Sequence, residues 1–306
     1  MVSFLIFIIS LITLLKSADW FVDSADSIAR HLKLPSVIIG ATIVAFGTSA
    51  PELFVSGFAA NSNQPDVIFG NIFGSNIANT CLIFGLAIAI CVCRSSKFLI
   101  SQLRDNLYAT LIYAGVFIFI PASRPLATCL LILFFAYQLY LLNSVTKQGE
   151  DAPPSTSLSA SIGLFVLSLI LLIFSSKFLV NSIVSIAIIF GVSKMFLSIF
   201  LVAFGTSLPE LITTIRFVKK GHLGIVIGNV FGSNLFNLCF VLPIGWLVRP
   251  VSFMPDFYTE ISLLLGLKLA LFLYLKFKGE LPKSIGYIFI FIYFFYLIIR
   301  YQISLL

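Results

Sequence analysis

Val44-Ala-Phe-Gly-Thr-Ser-Ala-Pro-Glu-Leu53 recurs almost unchanged as Val202-Ala-Phe-Gly-Thr-Ser-Leu-Pro-Glu-Leu211, at an offset of 158 residues. At the same offset, without a gap, Gly70-Asn-Ile-Phe-Gly-Ser-Asn-Ile-Ala-Asn79 matches Gly228-Asn-Val-Phe-Gly-Ser-Asn-Leu-Phe-Asn237. Each copy sets one glutamate, Glu52 or Glu210, inside a strongly apolar run. An ionisable side chain at membrane depth is costly and marks a pathway or a site. Two of them in duplicated halves point to one central cation site built from both.

Composition sets the class. The chain has 306 residues, 59% hydrophobic and only 10% charged, with a mean hydropathy of +1.10. A soluble protein of this size could not bury so much apolar surface, so the chain reads as an all-α polytopic membrane protein whose surroundings are the lipid bilayer. The net charge of +7 does not indicate nucleic acid, because the basic residues are spread over short loops and form no patch. Cys81, Cys91, Cys93, Cys129 and Cys239 lie in or beside apolar segments without metal-ligand spacing, and read as unpaired packing residues. The N-terminal run Met1–Leu15 resembles a secretory h-region. However, Leu11-Ile12-x-Leu14 returns as Leu169-Ile170-x-Leu172, which argues for a retained, duplicated helix.

A spanning helix needs about 20 mostly apolar residues. The pattern predicts ten, near 2–22, 36–60, 66–93, 105–121, 124–143, 159–181, 194–217, 223–247, 257–277 and 284–303. They divide into a first five-helix repeat (1–143, motif block 40–81), a polar linker (144–158) and a second five-helix repeat (159–306, motif block 198–239). Five is odd, so the second copy must enter the membrane inverted. With the N-terminus outside, the inner side carries twelve Lys and Arg and the outer side five (Arg124, Lys177, Lys194, Arg249 and Arg300). The charge bias therefore predicts both termini outside and a cytoplasmic linker. No organelle-targeting segment is visible, which suggests the cytoplasmic membrane of a prokaryote.

In the first motif, Thr48 and Ser49 stand four and three residues before Glu52, neighbours on one helical face. Pro51 has no N–H, so it releases the Gly47 carbonyl and loosens the helix. Gly205, Thr206, Ser207, Pro209 and Glu210 repeat this cluster. Carboxylate, hydroxyl and carbonyl oxygens are hard ligands that suit Ca2+ and Na+. In the second motif Ser75 and Asn79, like Ser233 and Asn237, are four apart and face one side, where neutral oxygens complete the coordination. Gly74 and Gly232 permit close helix approach, and Asn71, Asn76, Asn229 and Asn234 are also suited to cross-helix packing bonds. Asp19, Asp23 and Asp26 at the end of the first helix, and Asp66, Asp105, Glu150, Asp151, Asp256 and Glu280 at loops, read as interfacial. Glu260 stands near the start of the ninth helix without a counterpart at the duplicated site. His31 and His222 fall in loops, which leaves no membrane histidine for a proton relay.

Charge counting suggests a mechanism. Glu52 and Glu210 together offer −2, which one Ca2+ or two Na+ neutralises. A site holding neither leaves two repelling buried carboxylates, so the loaded site crosses more readily than the empty one. That is antiport.

These residues resemble the cation/calcium exchanger superfamily, in its sodium/calcium exchanger branch, and the two blocks look like that family's α-repeats. The resemblance covers essentially the whole chain. It implies a core of the second, third, seventh and eighth helices around the ions, with the first and sixth lying obliquely outside. It implies ligation by Thr48, Ser49, Glu52, Ser75 and Asn79 from one repeat and by Thr206, Ser207, Glu210 and Ser233 from the other. The backbone carbonyls of Ala45 and Ala203 are implied as Na+ contacts. Asn237 stands where some members of the family, the potassium-dependent branch included, have aspartate, which argues against K+ co-transport. The short linker implies no Ca2+-sensing domain.

The expected function is Na+/Ca2+ exchange by alternating access, exporting Ca2+ on the sodium gradient. The transported ions are the only ligands expected, with no cofactor and no obligate protein partner. The rival on the same fold is an H+/Ca2+ antiporter, or one for another divalent cation. A passive channel lacks a filter loop, and an intramembrane hydrolase at Ser49 or Ser207 lacks a His or Lys base.

Overall fold

The computed structural model describes residues 2–144, 156–189, 206–252 and 257–303. The described chain is helical apart from its connections and one short two-stranded pairing. The first helix, α1 (Val2–Leu32), runs ten residues beyond its expected end. Its last turns are not an interfacial loop, because Asp26 and Arg30 pair four residues apart at 2.9 Å and extend the helix into the polar zone. His31 therefore lies in the last turn of α1 and not in a loop. The helix stops where Lys33 turns left-handed (φ 51°), Leu34 N–H bonds back to the Ala29 carbonyl at 3.1 Å, and Pro35 follows.

The second helix is broken. α2a (Ser36–Thr48) and α2b (Ala50–Asn61) meet at 45°. The hinge is Ser49 (φ −85°, ψ 9°), and the proline after Ala50 sits in the first turn of α2b, where a missing N–H costs nothing. The duplicated Gly-Thr-Ser-x-Pro-Glu stretch is thus a helix break that faces the N-terminal turn of α2b toward the site. Next come α3 (Pro65–Ile90), α4 (Lys97–Phe119) and α5 (Arg124–Ser144). α4 starts well before its expected first residue, capped by the Ser96 hydroxyl, which accepts from Leu99 N–H at 3.0 Å.

The second half gives α6 (Leu158–Ile189), α7 (Leu208–Lys219), α8 (Leu223–Val248), α9 (Tyr258–Lys278) and α10 (Lys283–Ile303). The first half of the expected helix 194–217, including Lys194 and Ala203, lies outside the described residues. Six described helices (α1, α3, α5, α6, α8 and α10) are long and apolar enough to cross a membrane, and the bent α2 pair makes a seventh. α4 and α9 are 23 and 21 residues long but carry internal charges, Arg104 and Asp105 in one and Lys268 in the other.

Burial separates core from periphery. In α3 and α8, 89% of the most apolar window is buried, against 22% in α5 and 17% in α10. The peripheral helices turn Phe, Ile and Leu outward, among them Leu133, Phe291 and Ile298, as a lipid-facing surface does. α1 and α6 run antiparallel along each other, with Phe21 and Phe165 stacked at 4.6 Å. α2a lies directly on α8. A side chain at Gly228 would collide with the Val37 carbonyl and the Ala41 N–H, and one at Gly232 with the Ala41 backbone. Gly74 has no neighbour that close among the described residues. The strands Cys93–Arg94 and Glu280–Leu281 pair antiparallel and tie the α3–α4 connection to the α9–α10 connection.

Two hydrogen bonds join residues that are 158 positions apart, and so mark the pseudo-two-fold axis. Asn76 Nδ2 donates to the Asn234 carbonyl at 3.3 Å, and Lys268 Nζ donates to Thr110 Oγ1 at 2.9 Å. Lys268 is fully buried, between α9 and α4. Glu260, near the start of the ninth helix and without a counterpart at the duplicated site, is buried as well and is held by Arg300 at 2.9 Å and by the Tyr296 hydroxyl at 3.3 Å. A buried amine that loses its acceptor costs more than one replaced by a hydrophobe. Thr110→Val should therefore lower stability by about 1–3 kcal/mol, and adding Lys268→Met should restore most of it. The thermal unfolding midpoint of the three detergent-solubilised proteins checks this; a double variant no more stable than Thr110→Val would contradict it.

Candidate functional site

The hinge at Ser49 and the start of α7 bring the duplicated motifs face to face. Glu52 sits in the first turn of α2b and Glu210 in the first turn of α7. Both are completely buried and close enough to repel one another. Among the described residues neither carboxylate has a basic partner. Their neighbours are hydroxyls: Ser75 donates to Glu52 Oε1 at 3.3 Å, and Ser49 donates to Glu210 Oε1 at 3.3 Å. Ser75 and Thr206 hydroxyls meet at 3.3 Å. Each repeat thus contributes to the environment of the other's carboxylate.

The asparagines set the frame. Asn71 Nδ2 donates to the Glu52 carbonyl and to Ser56 Oγ, each at 3.0 Å, while its Oδ1 accepts from Thr206 at 3.3 Å. This fixes α2b to α3 and orients a threonine of the opposite repeat. In mirror fashion Asn229 Oδ1 accepts from Thr48 at 3.1 Å. Asn234 donates to Thr80 Oγ1 at 3.1 Å and Asn237 donates to Asn76 Oδ1 at 3.2 Å. Asn71, Asn76, Asn229 and Asn234 therefore bond across helices and hold the site's walls, the packing role that their residue type allowed.

A set of oxygens is left over. Glu52 Oε2, Glu210 Oε2, Asn79 Oδ1, Asn237 Oδ1, Ser207 Oγ and Ser233 Oγ are buried without a hydrogen-bond partner. An unpaired buried acceptor costs about 1–3 kcal/mol, more when charged. Six such atoms, from α2b, α3, α7 with its N-cap Ser207, and α8, are available to ligate a cation. All six are hard oxygens, and only two carry charge. Among the described residues no cluster of three or more His, Cys, Asp or Glu exists, so the arrangement suits alkali and alkaline-earth ions and not a soft metal.

Of the expected ligands, Thr48, Ser49, Glu52, Ser75, Asn79, Thr206, Ser207, Glu210, Ser233 and Asn237 are gathered at the junction of these four helices. Ala45 lies one turn before the hinge, in α2a. Ala203 is outside the described residues. One local feature was not expected. Asn79 and Asn237 lie in matching π-helical stretches, Ala78–Ile83 and Asn237–Val241, interrupting α3 and α8. A π turn widens the helix and re-aims side chains, and such turns concentrate at functional sites. The duplicated Asn marked the positions, but no residue pattern distinguishes a π turn from an α turn there.

Known proteins share this plan. The family model described as sodium/calcium exchanger protein matches residues 2–143 and 160–302. An uncharacterized membrane protein of Methanocaldococcus jannaschii is 31% identical, with 94% of each chain covered. The sodium/calcium exchanger MaX1 of Methanosarcina acetivorans is 28% identical over 99% of both chains. Among solved structures, the sodium-calcium exchanger NCX_Mj soaked with Na+ and Ca2+ superposes with a TM-score of 0.84 at 30% identity, covering 96% of this chain and 97% of that one.

Removing either carboxyl charge should empty the site. Glu52→Gln and Glu210→Gln should each weaken Ca2+ binding by roughly 100-fold or more, about 3 kcal/mol at 1.4 kcal/mol per tenfold. Ser233→Ala, which deletes a neutral oxygen, should cost roughly tenfold or less. Isothermal titration of the purified proteins with Ca2+ reads both, and wild-type affinity in either Gln variant would rule out a shared site.

Proposed function

Because the chain belongs to the sodium/calcium exchanger protein family, we propose that it exchanges Na+ for Ca2+ across the membrane by alternating access, through ten spans arranged as two inverted repeats. The carrying observation is the set of partnerless oxygens around Glu52 and Glu210. Four of the six are neutral hydroxyl or amide oxygens, which ligate Na+ or Ca2+ but gain nothing from a proton. A proton-coupled exchanger would need only the carboxylates.

The two ions compete for one pair of charges. One Ca2+, or two Na+, balances Glu52 and Glu210. The Ser49, Ser75, Thr48 and Thr206 hydroxyls and the Ser207, Ser233, Asn79 and Asn237 oxygens supply the neutral remainder, joined by the Ala45 and Ala203 carbonyls. The doubly charged empty site is disfavoured in a low dielectric, because two uncompensated carboxylates cannot readily pass through it. Transport is therefore obligatory exchange, which uses an inward sodium gradient to expel Ca2+. Asn237, neutral where part of the family is acidic, leaves no third charge for K+. We place the protein in the cytoplasmic membrane of a prokaryote with both termini outside, on the Lys and Arg bias of its loops.

Proteoliposomes preloaded with Na+ or with choline, at a matched pH gradient, separate this reading from its rival. 45Ca2+ uptake should require internal Na+. Uptake that ignored Na+ and followed the pH gradient would assign the chain to proton-coupled exchange.

A further inference from the structure

α1 and α7 are stitched together at one face of the molecule, the linker face, where α1 and α5 end and α6 begins. Asp19, Asp23 and Asp26 are spaced i, i+4 and i+7, on one stripe of α1. Asp19 pairs with Arg216 at 3.3 Å, Asp23 with Lys220, and Asp26 with His222 at 3.4 Å. Asp26 is also braced by Arg30.

The inverted repeat supplies an internal control. The counterparts of the three acids are Lys177, Asn181 and Val184 on α6. Those of Arg216, Lys220 and His222 are Phe58 on α2b, then Ser62 and Gln64 just after it. No acid faces a base in that set. Its described side chains, Lys177, Asn181, Phe58, Ser62 and Gln64, are all exposed, whereas Asp19, Arg216, Asp26 and His222 are half-buried and only the Asp23–Lys220 pair lies at the exposed rim. Among the described residues the seam is therefore bridged by acid–base contacts at the linker face, whereas its counterparts at the opposite face are exposed and form no ion pair.

We propose that the Asp19–Arg216, Asp23–Lys220 and Asp26–His222 pairs are positioning contacts that hold the linker face shut, so that the ion site loads preferentially from the opposite face. The proposal rests on the alternating-access reading. In an inverted repeat the two access states exchange the environments of the two halves. Opening the linker face parts α1 from α7 and brings α6 onto α2b. The first change breaks two ion pairs, Asp19–Arg216 and Asp23–Lys220, and the Asp26–His222 contact, and the second makes none. Partly exposed pairs each shift an equilibrium by up to about fivefold, so the set biases it by roughly tenfold.

Electron–electron distance measurements on the ion-free full-length protein test this without any transport. Spin labels at exposed sites outside the latch report the two faces, Lys33→Cys with Lys219→Cys at the linker face and Asn63→Cys with Lys177→Cys at the other. The background is Cys129→Ser, since Cys129 is an exposed native thiol. Asp19→Asn with Asp23→Asn should shift the ratio of the two distance populations roughly tenfold, lengthening the linker-face distance and shortening the opposite one. Arg216→Gln with Lys220→Gln should give the same shift, and all four together no more, because the same pairs are lost. Unchanged distances, a longer linker-face distance without a shorter opposite one, or additive shifts would overturn the proposal. Loss of sodium dependence in vesicles would count against the exchange reading alone and leave these distances as they are.

Discussion

Two buried carboxyl groups share one site with no basic side chain among the described residues beside them. Everything around Glu52 and Glu210 follows from that imbalance. A lysine or arginine in the site would stabilise the empty protein and close it to cations. Its absence leaves the two carboxyl groups for a bound cation to balance, and the fold surrounds them with hydroxyl and amide dipoles and not with counter-charge. The helix break at Ser49 is part of the same solution. It places Glu52 in the first turn of α2b, where the free N–H groups of a helix end favour negative charge. Ser207 and Pro209 repeat that arrangement for Glu210 at the start of α7.

A site of this kind has to be held in register, and contacts between equivalent positions of the two repeats do so. Residues related by the repeat touch at Asn76–Asn234 and again at Thr110–Lys268. Asn106, one turn from Thr110, donates to the Phe231 carbonyl at 3.1 Å and fastens α4 to α8. These polar contacts cost desolvation, yet each is directional, and together they fix the register of α3 on α8 and of α4 on α9. The α1–α6 pair, by contrast, meets the rest of the protein through apolar packing and a set of partly exposed ion pairs, which can be exchanged at small cost.

Much of the site was legible in the sequence because duplication filters out accident. A glutamate, two hydroxyls and a proline at fixed spacing, present twice at one offset, could be assigned to a shared cavity without coordinates. The helix break was readable from Pro51 and Gly47 for the same reason. Other features were not. The extent of α1 depended on Asp26 and Arg30 continuing a helix into polar surroundings, where apolar length no longer guides the reading. The π turns at Asn79 and Asn237 have no residue signature. Lys268 and Glu260 looked like ordinary helix residues because their partners, Thr110 and Arg300, are 158 and 40 positions away. Asp19 and Asp23 were read as interfacial, since nothing local reveals that Arg216 and Lys220 come to face them.

The departures from symmetry are as informative as the symmetry. If the two repeats were identical, the states open to either face would have equal energy, and the protein would load from both sides alike. The motif blocks are nearly identical, as they must be when one site serves both faces. On the alternating-access reading the two seams are free to differ, because each would close the site in only one state. A substitution in the blocks changes ion affinity in both states together. A substitution in a seam changes which state prevails and leaves the ligand set intact. Evolution of the seams can therefore tune sidedness independently of ion affinity, and the acids of α1 lie where that tuning would act.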